Sequence, residues 1–158
     1  MLSHFGQRLI DLKVKIKTLT YWAGACTIDL FKQTLMPAVN KGTIEKFTCF
    51  NLSGDTELDD SLYGIYNKSL LYLVAHAFED SPRIPLTPNK GTPLLGMDKF
   101  VSRDAELNTL FKAKNNSYVL APNQEPPGHR NASKSKHHGD FDDDINTVQA
   151  TIARILEK

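Results

Sequence analysis

The chain alternates segments of strand character with segments of helical periodicity, and this alternation limits the folds open to it. Strand-forming residues fill four segments, 17–23, 46–52, 93–97 and 117–121. Helical spacing of apolar residues marks 28–40, 66–79, 105–114 and the residues from Asp143 or Asp144 onward. Because parallel strands need crossover connections, this order predicts an α/β protein. We expect a three-layer α/β/α arrangement around a small, mainly parallel sheet of about four strands.

Composition supports one ordinary globular domain spanning residues 1–158. The net charge is +1, which gives no electrostatic reason to expect binding to nucleic acid or to a membrane surface. No apolar run approaches the ~18 residues needed to span a bilayer, and the first residues lack the order of a secretory signal. Cys26 and Cys49 both lie beside apolar, strand-like stretches, which indicates buried thiols in a reducing compartment. We therefore expect a cytoplasmic protein.

Local signals define the first helical segment. Thr27 is a suitable N-cap, and Gly42 provides a stop after the segment 28–40. Pro37 lies inside this segment and is expected to bend the helix or to end it early.

The last helix also carries clear signals. Its apolar residues recur at helical spacing, at Ile145, Val148, Ile152 and Ile155. The acidic run Asp142–Asp144 suits a helix start, where carboxylates oppose the helix dipole and accept from unpaired N–H groups. Before it, residues 122–140 are predicted to form an irregular loop, facing water over 122–136.

The loop that precedes this helix contains His137 and His138, followed by Gly139 and Asp140. A histidine between the last strand and the last helix of an α/β sheet is well placed for proton transfer. We therefore predict that His138 is a general base. The alternative is a solvated loop histidine beside an acidic helix cap.

The loop after Leu52 supplies acids, and the turn after Trp22 supplies a thiol. The acids are Asp55, Glu57, Asp59 and Asp60, and the thiol is Cys26. Loops that follow the carboxyl ends of parallel strands converge on one crevice, so a carboxylate there can orient the imidazole of the later loop. We predict that Asp55 pairs with His138. The competing interpretations are a turn aspartate that bonds to nearby backbone and, for Cys26, a small buried residue.

A metal site is the second interpretation of the histidine loop. It would use His137, His138, Asp140 and Asp142. However, the calcium-loop pattern does not fit, and the chain has neither an H-E-x-x-H motif nor a C-x-x-C pair. The sequence therefore predicts neither a metal nor another cofactor.

Five segments resemble bacterial proteins of the α/β-hydrolase superfamily, specifically the C-terminal half of poorly characterised members. They are 19–23 (LTYWA) with 29–31 (DLF), 47–55 (FTCFNLSGD), 66–73 (YNKSLLYL), 94–97 (LLGM) and 138–141 (HGDF). The resemblance implies an ancestral serine esterase or peptidase activity. It also implies an acid at Asp55, with Asp59 or Asp60 as substitutes, and a base at His138, in the chain order of that superfamily.

The first residues do not complete the nucleophile elbow of that superfamily, G-x-S-x-G. In residues 2–10 (LSHFGQRLI), Ser3 precedes His4 instead of following it. Ser3 and Cys26 are therefore the nucleophile candidates within the chain, and a partner chain is a third source. We expect a truncated or degraded hydrolase, or one half of a split gene, with weak activity or none on short acyl esters.

Two kinds of partner follow from this interpretation. An active protein would take a small-molecule ester or a peptide as substrate. A non-enzymatic remnant or interaction module would instead associate through an uncovered sheet face, either with itself or with a complementary hydrolase half.

Overall fold

A parallel sheet organises the protein. A computed structural model describes residues 7–8, 10–59, 71, 74–75 and 91–157, apart from the side chains of residues 58 and 59. Within that part, strands β1 (Ile16–Trp22), β2 (Ile44–Leu52) and β3 (Asn116–Ala121) form one sheet in the order β1-β2-β3. Both pairings are parallel. The prediction of an α/β protein with a small parallel sheet is confirmed.

The helices lie between and after the strands, as the alternating pattern predicts. They are α1 (Ile28–Thr34), α2 (Met36–Asn40), α3 (Gly54–Asp59), α4 (Asp98–Val101), α5 (Ala105–Lys112) and α6 (Ile145–Leu156), with a 3₁₀ helix at His138–Asp140. The predicted helix 66–79 lies outside the described residues except for Leu71, Val74 and Ala75, which are helical.

Three local predictions are confirmed. The Thr27 hydroxyl accepts from the N–H of Leu30 at 3.1 Å and so caps α1. The helical segment divides at Leu35, and Pro37 takes its place in the first turn of α2, where no N–H is needed. Gly42 has a φ of +72°, a conformation that glycine adopts without strain and that ends the helix.

Both faces of β2 are covered, because its residues 47–52 are all buried. Phe47 and Cys49 lie on the face of β2 that packs against α1, α2 and α5. We call the buried apolar residues on this side of the sheet the front cluster. Phe50 and Leu52 belong to a rear cluster, which includes Ala150 of α6. The alternation of side chains along a strand assigns neighbouring residues to opposite faces.

The predicted strand at 93–97 is wrong. This segment instead makes two single bridges, an antiparallel one between Leu94 and Thr27 and a parallel one between Met97 and Leu52. A tight turn between the two bridges prevents a continuous ladder, and the N–H of Gly96 donates to the carbonyl of Gly24 at 2.8 Å. The described part of the sheet therefore has three strands instead of about four.

The loop prediction for 122–140 is correct in its irregular backbone, but part of the loop is buried and its irregular part ends earlier than expected. Ala132, Ser133 and Ser135 are buried, although 122–136 was expected to face water. The irregular part ends at His137, and the 3₁₀ helix follows. Hydrogen bonds to buried side chains, described below, explain how a polar loop can be buried without leaving its groups unpaired.

Helix α6 is confirmed, with Asp144 as its N-cap. Its buried residues are Thr147, Ala150 and Arg154. The apolar residues that marked this helix in the sequence point elsewhere, since Ile145, Ile152 and Ile155 are exposed. The helix thus packs on the rear of the sheet with its less apolar face.

We predict that Gly96→Ala lowers the free energy of unfolding by about 1–3 kcal/mol, as overpacking of a tight core does. A Cβ at position 96 would lie 2.6 Å from the carbonyl carbon of Ala23, which is backbone and cannot rotate away. Gly54→Ala is the matched control, since no atom lies within 4 Å of its Cβ position. Urea titration of both variants measures the difference. Equal effects of the two substitutions would contradict this account.

Candidate functional site

The carboxyl ends of β2 and β3 lie level with each other. Leu52 pairs with Ala121 in the parallel register, so both strands end at the same edge of the sheet. The N–H of Ser53 donates to the carbonyl of Ala121 at 2.8 Å and extends this pairing by one residue. The loops that follow the two strands therefore start side by side, as expected for a crevice at this edge.

A hydroxyl-capped turn starts α3 and directs Glu57 inward. The Ser53 hydroxyl lies 2.8 Å from the Thr56 hydroxyl, and the N–H of Glu57 donates to the Ser53 carbonyl at 2.8 Å. Glu57 follows one turn after Ser53 and is only 3% exposed. Asp55, two residues earlier, points to solvent and is exposed. Positions two apart on a helix lie on different faces, which separates these two carboxylates.

The second loop carries His138 on a short, capped 3₁₀ turn. The carboxylate of Asp140 accepts from the N–H groups of Lys136 and His137, both at 2.9 Å. In return, the N–H of Asp140 donates to the carbonyl of His137 at 3.1 Å. This reciprocal cap fixes the backbone from which the His138 side chain projects.

The two loops meet through their side chains. The Nε2 atom of His138 lies 3.5 Å from Oε1 of Glu57, and the His138 side chain is 15% exposed. A carboxylate removed from water needs a charged or hydrogen-bonding neighbour, and the imidazole stands at ion-pair distance. Among the described side chains, the carboxylate at ion-pair distance from His138 is that of Glu57.

Of the other predicted acids and the N-terminal serine, the structure describes the side chain of Asp55 alone. Asp55 is exposed, and a catalytic role for it stays a prediction. Asp59 ends α3, but its side chain is not among the described ones, and Asp60 and Ser3 lie outside the described residues. The sequence signal for Glu57 was available: Ser53 read as a helix cap places position 57 one turn inside the helix. We instead predicted Asp55 as the acid of this loop.

Cys26 lies in the turn after β1, just before the cap of α1. Its side chain is half-buried and packs against the front cluster, and its carbonyl accepts from the N–H of Leu95 at 2.9 Å. Cys49 lies in the same cluster, where burial raises the pKa of its thiol and the nearby Cys26 adds to the increase. This apolar packing is what the small-buried-residue interpretation of Cys26 predicts. Its role as a nucleophile stays a prediction.

Buried hydroxyls hold the histidine loop against α6. The Ser133 hydroxyl lies 2.7 Å from that of Thr147, and the Ser135 hydroxyl lies 3.3 Å from it. Thr147 also donates to Asp144 at 2.7 Å, and the N–H of Lys134 donates to the same carboxylate at 2.7 Å. The loop therefore approaches His138 along a chain of satisfied hydrogen bonds.

Asp144 is the charged centre of this network. Its partial burial alone would raise its pKa, but the N–H and hydroxyl donors around the carboxylate outweigh burial and lower the pKa to about 2. The donors come from the loop, through Lys134, and from the first turn of α6, through Asn146 and Thr147. One ionised carboxylate thus joins the helix start to the histidine loop.

Arg154 holds the other end of the loop. Its guanidinium donates to the carbonyl of Arg130 at 2.9 Å, to the Ser117 hydroxyl at 3.0 Å and to the side-chain oxygen of Asn131. It also lies over the ring of Phe50, 5.7 Å from the ring centroid. Burial lowers the pKa of Arg154 to about 10, and the nearby Arg130 adds to the decrease. The side chain of Arg154 thus connects α6 to the histidine loop and to β3 by hydrogen bonds.

No family model, curated protein or solved structure matches this chain. Among the residues that the structure describes, no three His, Cys, Asp or Glu side chains form a group able to hold a metal ion. In the same part of the chain, none of the helices combines the length and the apolar character of a membrane span. Inference about function therefore starts from the geometry of the Glu57–His138 pair.

We predict an energetic coupling between Glu57 and His138. In a double-mutant cycle of Glu57→Gln and His138→Ala, the coupling in the free energy of unfolding should be about 0.5–3 kcal/mol, as for side chains in direct contact. The cycle of Asp55→Asn with His138→Ala is the control, because Asp55 is exposed, and its coupling should be near zero. Chemical denaturation at neutral pH gives both values. Equal coupling in the two cycles would refute the assignment of Glu57 as the partner.

We predict that the carboxylate of Asp144 makes the free energy of unfolding depend on pH in the acid range. Its pKa of about 2 in the folded state lies below the ordinary value of 3.8, so its contribution is complete above about pH 4 and is lost as pH falls toward 2. Asp144→Ala should lower the free energy of unfolding at pH 7 by about 1–2 kcal/mol, as for the loss of a helix cap. Asp144→Asn keeps a capping oxygen and should lose less at pH 7.

Denaturation curves of the wild type and of Asp144→Asn between pH 2 and 7 test this. The difference in stability between the two proteins should shrink below pH 4. A difference that is constant over the whole range would show that the Asp144 charge does not contribute.

Proposed function

We propose that the chain is an α/β-hydrolase-like protein that acts on ester or amide bonds, with His138 as the general base and Glu57 as the acid that orients it. The observation that supports this proposal is the 3.5 Å approach of Nε2 of His138 to Oε1 of Glu57. The two side chains come from loops after neighbouring parallel strands, at the edge where α/β proteins place their ligands. Glu57 thereby takes the role that the sequence pattern suggested for Asp55.

The proposed reaction begins with proton transfer to His138. A hydroxyl or thiol gives its proton to the imidazole while its oxygen or sulfur forms a bond to the acyl carbon of the substrate. Glu57 stabilises the resulting imidazolium. The imidazolium then gives the proton to the leaving alcohol or amine as the acyl bond breaks, and water releases the acyl group by the same two steps.

The orientation of the imidazole sets which nitrogen exchanges the proton. In the serine-protease triad the carboxylate holds Nδ1 and the proton moves through Nε2. Here Nε2 is the nitrogen that faces the carboxylate, so the pair differs from that triad in the orientation of its imidazole. The candidate nucleophiles are Ser3, Cys26 and a group from a partner chain. Because the nucleophile of this pair is not assigned, we expect weak hydrolysis by the isolated chain.

The proposal also covers the layer arrangement of the fold and the cellular compartment of the protein. The coverage of β2 by a front and a rear cluster supports a three-layer α/β/α arrangement of the α/β-hydrolase type. The thiols of Cys26 and Cys49 are both reduced, which fits the cytoplasm. A small-molecule ester or a peptide is the proposed substrate, and no metal or cofactor takes part in the scheme.

A non-enzymatic interaction module is the second candidate, and the exposed apolar residues of α6 favour it. We had expected such association through an uncovered sheet face. Residues 47–52 of the central strand are buried, and α6 offers a second apolar surface for association.

Hydrolysis of 4-nitrophenyl acetate tests the enzymatic proposal. We predict a slow rate above the buffer blank that His138→Ala removes, because general base catalysis supplies about 10²–10⁴-fold. Glu57→Gln should lower the rate by about 10-fold or more, and Asp55→Asn, its matched control on the same turn, should leave the rate unchanged. A wild-type rate equal to that of His138→Ala would overturn the proposal.

The same assay assigns the nucleophile. If Cys26→Ser removes the rate and Ser3→Ala does not, the thiol is the nucleophile, and the reverse result assigns Ser3. Thermal melting of each variant, followed by circular dichroism, confirms that the loss of rate is not a loss of fold.

A further inference from the structure

Helix α6 presents its most apolar face to solvent. Ile145, Ile152, Ile155 and Leu156 are 66%, 48%, 47% and 71% exposed. At 100° per residue, these positions lie opposite the buried face that carries Thr147, Ala150 and Arg154. An amphipathic helix on the surface of a monomer normally does the reverse and buries its apolar stripe.

Hydrogen bonds fix this orientation of the helix. Thr147 bonds to Ser133 and Asp144, each at 2.7 Å, and Arg154 bonds to the carbonyl of Arg130 at 2.9 Å and to Ser117 at 3.0 Å. Rotation of α6 to bury its isoleucines would leave these buried polar groups without partners, at about 1–3 kcal/mol for each. The outward direction of the apolar face is therefore built into the fold.

The exposed stripe has the spacing of a helix–helix seam. Ile145, the half-buried Val148, Ile152 and Ile155 follow one another at steps of three, four and three residues, the pattern of positions that interlock between paired helices. Trp22 flanks the stripe from β1, with its ring N–H 3.3 Å from the Thr151 hydroxyl and 36% of the residue exposed. An exposed apolar patch of this kind is often a functional surface.

The area is sufficient for a pair of identical chains. The exposed stripe and Trp22 amount to roughly 500 Å² of apolar surface, and a two-fold pairing would cover about 1,000 Å² in total, which is the lower limit of a specific interface. In a two-fold interface, the same surface of both copies must fit together. Two copies of one regular stripe of side chains on a helix meet this requirement.

The charges at the two ends of α6 specify the direction of pairing. Asp142 and Asp143 are exposed at its start. At its end, Lys46 and Arg130 both pair with the single carboxylate of Glu157, at 3.4 and 3.3 Å, so these three side chains together carry one positive charge. Antiparallel helices would bring each acidic end to the basic end of the other chain.

We propose that this face of α6 binds a second copy of the chain, with the two helices antiparallel about a two-fold axis that passes between them at the level of Ala150. Ile145 then packs against Ile155 of the other copy, and Val148 packs against its Ile152. This proposal does not rest on the hydrolase proposal, because dimerisation and hydrolysis are measured separately and neither result implies the other.

Sedimentation velocity between about 1 and 100 µM tests it. The wild type should be a dimer over the upper part of this range, and Ile152→Lys should raise the dissociation constant at least about 10-fold, as for a residue at the centre of an interface. Leu12→Lys is the matched control, since Leu12 is also an exposed aliphatic residue, at 60%, but lies far outside α6 in the sequence. It should leave the dissociation constant unchanged.

Disulfide trapping tests the direction. A mixture of Val148→Cys and Ile152→Cys proteins should form cross-linked dimers faster than either variant alone, because only antiparallel helices place these positions opposite each other. Wild-type protein reports any background from Cys26 and Cys49. A monomer at 100 µM, or a dimer that Ile152→Lys leaves intact, would overturn the proposal, and the monomer would assign the face to a different protein. Faster trapping of Ile152→Cys alone would overturn the antiparallel arrangement.

Discussion

The parallel register between β2 and β3 is the constraint on which the rest of the structure depends. Leu52 lies opposite Ala121, so the two strands end together, and the bond from Ser53 to Ala121 extends the pairing by one residue. A shift by one residue would turn Phe50 and Leu52 from the rear cluster to the front and reverse every contact of the central strand. The burial of β2 on both faces thus fixes its register, and the register makes the two loops begin side by side at one edge of the sheet. Glu57 and His138 meet because their loops begin there.

Buried polar groups then determine where the last third of the chain lies. Arg154 and Thr147 carry hydrogen bonds that the loop needs, and the loop has little apolar surface of its own beyond Ala132. A buried donor without an acceptor is costly, so these bonds select one position of the loop and one rotation of α6. The same bonds that hold the histidine loop therefore keep the isoleucines of α6 in water. The candidate site and the exposed apolar face share one physical origin.

The sequence predicted the location of the candidate site better than its members. It identified the loop after β2 and the loop before α6, because the order of strands and helices alone places those loops at one edge of the sheet. It did not distinguish Asp55 from Glu57. The choice depends on the residue at which α3 begins, and a start at Gly54 turns Asp55 outward and Glu57 inward. Helix boundaries depend on a few hydrogen bonds, here those of Ser53, which the pattern of apolar residues does not contain.

By itself, the sequence determined the alternation of strands and helices, the cap at Thr27, the break at Pro37 and the start of α6 to within one residue, at Asp143 or Asp144. Each of these follows from a residue and its immediate neighbours, through backbone geometry or a local hydrogen bond. Only the tertiary structure decided which face of α6 is buried and which carboxylate approaches His138. Those outcomes depend on partners far away in the chain, such as Ser117 for Arg154 and Ser133 for Thr147. Periodicity shows that a helix has two different faces, but the hydrogen bonds available at the docking surface determine which face turns inward.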